Sequence, residues 1–309
     1  MNIINYMLNV LRKMISKKSK KIFFLILKLF ISLFILWGVL TKIEFEKVFA
    51  LFSQVSIIHI IILVILNFLS FIFMVLKWRI LLIKYSNLNF RKLSSLYLAS
   101  DFMNLFFLGV LGGEAYKVYY TKNRKASFIT SIFDRLYSFY FYFIICALFI
   151  LIYFFPKYLI EISFIFLVIL VLDINFYPFF YDYLINKYKK MEFLKYAFIS
   201  KIDMLKHFFY SFLYLLSVAF RFWFCFLIFG LNLNFYLILA MSAIVVIGIS
   251  LPISIQGFGV REFIIIYFGS FFFGISAEIA LAVSFLFYLS GLIYRLFGMI
   301  PFFLNKKET

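Results

Sequence analysis

The sequence is poor in the residues that mark a disulfide-bonded, metal-binding or soluble protein. Its 309 residues include 2 cysteines, 2 histidines and 4 prolines, and 14% of them are charged, whereas a soluble domain carries about 25%. Cys146 and Cys225 both lie in apolar runs, so we expect no disulfide framework. His59 and His207 are isolated in the sequence, so we expect no metal site and no cofactor.

Acidic residues are also scarce, with 13 Asp and Glu against 31 Lys and Arg and a formal net charge of +18. In a soluble protein this balance would indicate nucleic-acid binding. Here the bases lie mostly between apolar runs, 66% of the residues are hydrophobic, and the mean hydropathy is +1.07. The excess of bases is therefore typical of the cytoplasmic loops of a membrane protein, and we expect no nucleic-acid partner.

Long apolar runs predict an all-α, polytopic helical membrane protein. Residues 1–21 carry six bases and are predicted to form a basic interfacial segment at the cytoplasmic face. Residues 22–304 are predicted to form one transmembrane domain, and 305–309 a cytoplasmic tail. Six full spans are expected, at 22–40, 57–77, 127–153, 158–180, 209–230 and 277–304.

Two further apolar runs are interrupted by glycines and charges, and each is predicted to form a re-entrant helical hairpin. If residues 94–111 crossed the membrane fully, the basic segments 117–125 and 181–208 would lie outside, against the usual distribution of bases. A hairpin that returns to its own side keeps both segments cytoplasmic, and broken helices are tolerated where protein or water covers the backbone. The same argument gives residues 235–274 a hairpin of opposite orientation. Both termini are then cytoplasmic, in an inner (cytoplasmic) membrane.

The bends of these hairpins are assigned to glycines and one proline: Gly112, Gly113, Pro252, Gly257 and Gly259. A glutamate follows in each case, Glu114 in the first hairpin and Glu262 in the second. Each half of the chain has an Arg–Glu–Arg order around its hairpin, so an inverted repeat is one interpretation. The unequal separations leave that interpretation open.

Ionisable residues inside apolar runs are expensive and mark functional sites in membrane proteins. Arginine presents a planar fork of donors that suits a phosphate, and five residues are candidates for binding a lipid phosphate: Arg79, Arg135, Arg221, Arg261 and Arg295. Three acids are candidate counter-charges that an incoming phosphate would displace: Glu114, Glu262 and Asp134. The alternative is that these charges form structural ion pairs. Lys77 and Lys117 are interpreted as interfacial charges, and Asp101 as the partner of a helix terminus.

Several motifs resemble those of the lysylphosphatidylglycerol synthase transmembrane-region family, also called the flippase-like domain family. The likeness covers residues from about 20 to 304. Two departures are Lys117, where relatives commonly have Arg, and Gln256, where they often have a small residue. The motifs are Lys-Trp-Arg-Ile-Leu-Leu (77–82), Leu-Gly-Gly-Glu-Ala-Tyr-Lys (111–117), Asp-Arg-Leu (134–136), Leu-Pro-Ile-Ser-Ile-Gln-Gly-Phe-Gly-Val-Arg-Glu (251–262) and Tyr-Arg-Leu (294–296).

The resemblance implies a flippase-type protein that binds an anionic phospholipid, or a polyprenyl-phosphate-linked lipid, and moves it between leaflets. In the two-part synthases the membrane domain is associated with moving aminoacylated phosphatidylglycerol, while a separate cytosolic domain transfers the lysyl group. The present sequence shows no such domain, no GxxxxGK[ST] loop and no Ser/His/Asp set, so we expect neither enzymatic activity nor catalytic residues. The alternatives are a membrane-embedded glycosyl- or aminoacyl-transferase, or its non-catalytic partner in envelope lipid synthesis.

Overall fold

A computed structural model describes residues 43–86, 88–106, 111–187, 195–251 and 257–304, together with a few isolated positions between 30 and 41. Over these ranges all regular structure is helical, as the sequence predicts. The α-helices are α1 (Phe45–Phe52), α2 (Ile57–Leu82), α3 (Phe90–Phe106), α4 (Leu111–Tyr120), α5 (Arg124–Phe154), α6 (Leu159–Lys187), α7 (Lys201–Ile228), α8 (Phe235–Ser250), α9 (Val260–Phe273), α10 (Ala277–Leu296) and α11 (Met299–Leu304).

Five segments within the described residues are long and apolar enough to cross a membrane. They correspond to five of the six predicted spans. The first predicted span, 22–40, lies almost wholly outside the described residues, as do the predicted N-terminal segment 1–21 and the tail 305–309. The five are Ile57–Leu82, Arg124–Phe154, Pro156–Phe176, Lys201–Ile228 and Ala277–Leu304.

The predicted polar segment 181–208 is partly wrong, because helix α6 continues to Lys187 and helix α7 begins at Lys201. The Ser200 side chain accepts a hydrogen bond from the backbone N–H of Asp203 at 3.1 Å and caps the start of α7. Met204 and Phe208 are buried on one face of its first turns. The bases in these turns therefore belong to an amphipathic helix end rather than to a loop.

Each predicted hairpin is a pair of short helices, α3 with α4 and α8 with α9, and the members of each pair pack against each other. The junctions at 107–110 and 252–256, including Pro252, lie outside the described residues. Gly257 and Gly259 have φ angles of +81° and +83°, values that glycine adopts without a steric penalty. These two glycines fit the predicted bend; the re-entrant character of both pairs stays a prediction.

The glycine pair of the first hairpin does not form a bend, because Gly112 and Gly113 lie in the first turn of α4. The Gly113 amide donates a hydrogen bond to Asn104 Oδ1 at 2.8 Å. A Cβ atom on Gly113 would lie 2.4 Å from the carbonyl oxygen of Ser100 on α3. The hinge prediction for this pair is therefore corrected: Gly113 permits close contact between two helices.

The order long, short, short, long occurs twice, in α2–α5 and again in α7–α10, with α6 between them. The first helices of the two units, α2 and α7, pack against each other and run antiparallel. His59 lies against Phe224 with ring centroids 5.9 Å apart, and Lys77 Nζ lies 5.5 Å from the ring centroid of Tyr214. This arrangement supports the inverted-repeat interpretation.

Helix α6 packs at the periphery, whereas α7 lies in the core. Ile160 and Phe164 on α6 are exposed, which suits a helix that faces lipid acyl chains. On α7, Phe222 is fully buried and stacks on Phe287 of α10 with ring centroids 4.0 Å apart. The polar residues described below lie within this packed interior.

Candidate functional site

Polar residues recur at helical spacing along the buried faces of three long helices. Because residues three or four positions apart share a helix face, each set forms a continuous polar stripe. The three stripes converge on two adjoining cavities. They consist of Asn67, Ser70 and Lys77 on α2, of Ser127, Ser131, Asp134 and Ser138 on α5, and of His207, Ser211 and Arg221 on α7, all of them buried.

The larger cavity, of about 180 Å³, is lined by Arg221 of α7, Arg261 of α9 and Arg295 of α10, and we name it the arginine cavity. One water needs only roughly 10–15 Å³ of such space, so the cavity can hold a polar group of several atoms. Three of the five arginines predicted to bind phosphate therefore converge on a single space.

Two of these arginines keep donors that no group in the described part of the chain satisfies. Arg221 is buried, and its guanidinium stacks on the Phe287 ring at 3.9 Å from the centroid. Its Nη2 donates a hydrogen bond to the Phe287 carbonyl oxygen at 3.4 Å. Arg221 Nε and Arg295 Nη1 are buried and have no hydrogen-bond partner among the described residues. Unsatisfied buried cationic donors are costly, and an anion would satisfy them.

Arg261 differs from the other two because a carboxylate holds it. Glu262 is fully buried and forms an ion pair with the Arg261 guanidinium. Its carboxylate also accepts hydrogen bonds from the Gly259 amide at 2.8 Å and from Ser284 Oγ at 2.9 Å. Glu262 does not line the arginine cavity. Glu262 is therefore a counter-charge of Arg261 that also caps the start of α9, where an acid is stabilising, and its displacement by a phosphate stays a prediction.

The smaller cavity, of about 80 Å³, is lined by three acids and three bases, which are Asp101, Glu114, Asp134, Lys77, Lys117 and Arg135. We name it the ion-pair cavity. It adjoins the arginine cavity, since six residues line both: Met74, Asp101, Asn104, Tyr214, Val246 and Ser250.

Glu114 lies between two bases of the ion-pair cavity, in the position expected of a counter-charge. Its Oε1 pairs with Arg135 Nη2 at 2.5 Å and with Lys117 Nζ at 2.9 Å. Lys117 is buried, 3% exposed, with its ammonium over the rings of Trp78 at 4.5 Å and Tyr97 at 4.3 Å. The prediction that Lys117 is an interfacial charge is wrong, because aromatic faces and a carboxylate hold its charge inside the protein.

Asp134 also bridges two partners, and neither is its sequence neighbour Arg135. Its Oδ2 lies 3.4 Å from Lys77 Nζ, and its Oδ1 lies 2.9 Å from His207 Nε2. Lys77 is 5% exposed and donates a hydrogen bond to Ser138 Oγ at 2.7 Å. The prediction of an interfacial Lys77 is therefore wrong, and His207, which is isolated in the sequence, has a buried partner, since both lie on polar stripes that the packing brings together.

Two residues have other positions than expected. Arg79 lines neither cavity and is partly exposed. It follows Lys77 by two positions, which rotates it by about 200° around α2, so its predicted role in phosphate binding is not supported. Asp101 lines both cavities and accepts a hydrogen bond from Tyr294 Oη at 3.0 Å. Asp101 therefore links α3 to α10 between the two cavities.

The helices and the charged interior define a multi-pass membrane protein. The chain belongs to the lysylphosphatidylglycerol synthase TM region family, whose profile matches residues 25–298, and this confirms the resemblance drawn from its motifs. No curated protein and no solved structure matches the chain.

Proposed function

We propose that the protein binds a lipid by its phosphate group and moves it between the two leaflets of the membrane. The observation that carries the proposal is the arginine cavity, in which three guanidiniums line one space and two of them keep donors that no described residue satisfies. Arginine donors bind phosphate oxygens strongly at such buried positions. The membrane is the expected source of the ligand because the family and the apolar spans place the cavity within a bilayer protein.

The charge balance of the interior supports an anionic ligand. The two cavities are lined by six bases, Lys77, Lys117, Arg135, Arg221, Arg261 and Arg295, and by the acids Asp101, Glu114 and Asp134. Glu262, which pairs with Arg261, brings the acids to four. With His207 neutral, two positive charges remain in excess, and one phosphate group would reduce or remove that excess.

The two cavities lie at different depths. Asn67 lines the arginine cavity and Lys77 lines the ion-pair cavity, and the ten residues between them on α2 correspond to about 15 Å of helix. The ion-pair cavity is nearer the ends of α2, α5 and α7 that carry the basic segments. A headgroup would therefore bind first among the ion pairs and then among the arginines, moving along part of the roughly 30 Å hydrocarbon core.

Reconstitution tests the proposal directly. Proteoliposomes would contain a phosphatidic acid with a fluorophore on one acyl chain, and a membrane-impermeant quencher would report its movement between leaflets. The double variant Arg221→Gln, Arg295→Gln should slow this movement at least tenfold. Arg79→Gln should move lipid at the wild-type rate, since Arg79 lines neither cavity.

Two additional measurements make the result decisive. Fluorescent diacylglycerol, which lacks the phosphate, should move at the same rate with and without protein. Uptake of radiolabelled inorganic phosphate distinguishes a lipid headgroup from free phosphate as the ligand. Equal lipid movement by the wild type and the double variant would contradict the proposal.

We further propose a cytoplasmic-membrane location and an envelope-synthesis enzyme as the class of partner that makes or uses this lipid.

A further inference from the structure

We infer that His207, with Asp134 and Ser211, forms a proton-binding site linked to the cavities, so that a proton accompanies the lipid phosphate. The inference rests on the proposed function for its cargo, but its proton site can be measured separately. His207 is fully buried, and Ser211 is too. These residues lie on α5 and α7, beside the ion-pair cavity that Asp134 lines.

The contacts of His207 assign its ring hydrogen. Nε2 lies 2.9 Å from Asp134 Oδ1, and a carboxylate at that distance accepts a hydrogen bond, so Nε2 carries the hydrogen in the neutral ring. Nδ1 then holds a lone pair, and Ser211 Oγ lies 3.5 Å from it. Nδ1 is therefore the atom that can accept a proton.

Hydroxyl groups connect this nitrogen to the ion-pair cavity. Ser211 Oγ lies 3.4 Å from Ser138 Oγ, and Ser138 lines the cavity. A hydronium ion in the cavity can give its proton to Ser138 and become water. The Ser138 hydroxyl turns from the Asp134 carbonyl oxygen and passes its own hydrogen to Ser211, which passes its hydrogen on in turn. The proton adds to the lone pair of Nδ1, and it leaves along the same path when the site releases it.

The charges around His207 make its protonation sensitive to an anion. Lys77 of α2 and Asp134 of α5 face it and neutralise each other, and the edge contact with Tyr137 of α5 adds no charge. Helix α8, which packs on α7, carries no charged residue. Asp173 of α6 accepts a hydrogen bond from Tyr140 Oη. The charged groups that contact His207 or its partner, Asp134 and Lys77, therefore also line the ion-pair cavity, where an anion would act on them.

A phosphate in the cavities adds negative charge near His207 and favours a proton on it, and by reciprocity a protonated His207 strengthens phosphate binding. At a separation of ~10 Å and an effective dielectric constant of about 20, one negative charge changes the proton affinity by about tenfold.

The Asp–His–Ser order also resembles a catalytic triad, although no motif in the sequence marks these three residues as a set. Ser211 lines neither cavity and is fully buried, so its hydroxyl has no substrate within reach. The geometry therefore favours proton binding over nucleophilic catalysis.

The small number of histidines in the chain allows the protonation of His207 to be measured separately. The variant His59→Gln leaves His207 as the one histidine of the sequence, and Gln suits the third position of α2, where His59 forms a capping box with Ser56. With ¹⁵N-labelled histidine in nanodiscs, the ring signals of His207 report its protonation. Saturating dihexanoyl phosphatidic acid should shift the titration midpoint up by about one pH unit, and dihexanoylglycerol should not. An unchanged midpoint would overturn the inference.

Transport under a pH gradient separates this inference from the proposed function. In proteoliposomes with the membrane potential clamped, a pH gradient should accumulate the phosphate lipid in one leaflet, and His207→Gln should abolish the accumulation. Lipid movement that ignores the gradient, together with an unchanged histidine midpoint, would overturn proton coupling and leave translocation intact. Absence of all lipid movement with a shifted midpoint would overturn translocation and support a proton-linked phosphate site.

Discussion

The two glycine-flanked glutamates look alike in the sequence and differ in the structure. Glu114 retains 16% exposure of its side chain and lies in the ion-pair cavity between Lys117 and Arg135. Glu262 is fully buried and outside both cavities, with its carboxylate held by a backbone amide, a serine and an arginine. The same short motif therefore supplies a counter-charge within reach of ligand in one half and a helix cap in the other.

This difference indicates which arginines are available to a ligand. Arg135 has its acid in the cavity, where an incoming phosphate can compete for it. The carboxylate paired with Arg261 is that of Glu262, which lies outside both cavities. Arg261 can therefore contact a phosphate and keep its ion pair. Arg221 has no carboxylate partner in the described part of the chain and depends on aromatic stacking and a carbonyl oxygen. The arginine cavity therefore has the larger excess of positive charge of the two.

The largest expected effect is on Glu262. The variant Glu262→Gln leaves Arg261 buried beside a neutral amide, which should reduce the free energy of unfolding by about 3–5 kcal/mol. Thermal unfolding in detergent measures this loss. The double variant Arg261→Gln, Glu262→Gln removes the unpaired charge and should recover more than half of the lost stability. If the single variant unfolds at the wild-type temperature, the distinction between the two glutamates fails.

Close packing in the first half gives the next effect. Gly113→Ala would place a Cβ atom 2.4 Å from the Ser100 carbonyl oxygen and 2.7 Å from the Asn104 side chain. We expect a loss of about 1–3 kcal/mol from this overpacking.

The matched control for Gly113 is Gly291 of α10, where a Cβ atom would have its nearest neighbours at 3.8 Å. Gly291→Ala should cost nothing and could stabilise the helix by up to about 1 kcal/mol. Equal thermal stability of the two alanine variants would show that α3 and α4 do not pack as closely as described.

A smaller change in stability, with a larger change in binding, is expected for Glu114. Because Glu114 reaches the cavity, Glu114→Gln should cost only about 1–2 kcal/mol of stability, below the range for a fully buried pair. Removing the competing carboxylate should raise the affinity for phosphatidic acid about tenfold, as measured by fluorescence anisotropy of a labelled short-chain lipid. Weaker binding by the variant would show that Glu114 does not compete with the phosphate.

The smallest effect concerns the contact between the two halves. Ser70 Oγ and Ser217 Oγ lie 2.7 Å apart between α2 and α7. Hydrogen bonds between membrane helices contribute about 0.6 kcal/mol on average, so Ser217→Ala should lower stability by roughly that amount in a denaturant titration. A Ser70→Ala, Ser217→Ala cycle should give additive losses only if this hydrogen bond is absent.

The helical class, five of the spans and the family were predictable because a bilayer requires long apolar helices and because the motifs are specific. The prediction is wrong where a charge is interpreted from its nearest neighbours in the sequence alone. Lys77 is predicted at the interface because a tryptophan and another base follow it. Its spacing from Asn67 and Ser70 was the better signal, since those positions share one helix face.

His207 shows the same limit. It follows a lysine-rich segment and has no other histidine nearby in the sequence, so composition alone gave it no partner. Its spacing to Ser211 and Arg221 marks a polar stripe on α7, but this spacing does not identify the residue of another helix that contacts His207. Asp134 lies 73 positions earlier in the chain, and only the packing of α5 against α7 brings the two together.

By itself the sequence determined that this protein is helical and lies in a membrane, because apolar length and the cost of burying free backbone groups leave few other outcomes. It also determined which arginines and acids lie inside apolar runs. The tertiary structure alone decided the partner of each charge: Glu114 faces a cavity, Glu262 is a cap, and Asp134 binds His207 and Lys77. The physical reason is that ion pairing depends on distances of a few ångströms between helices far apart in the chain, which local sequence spacing does not specify.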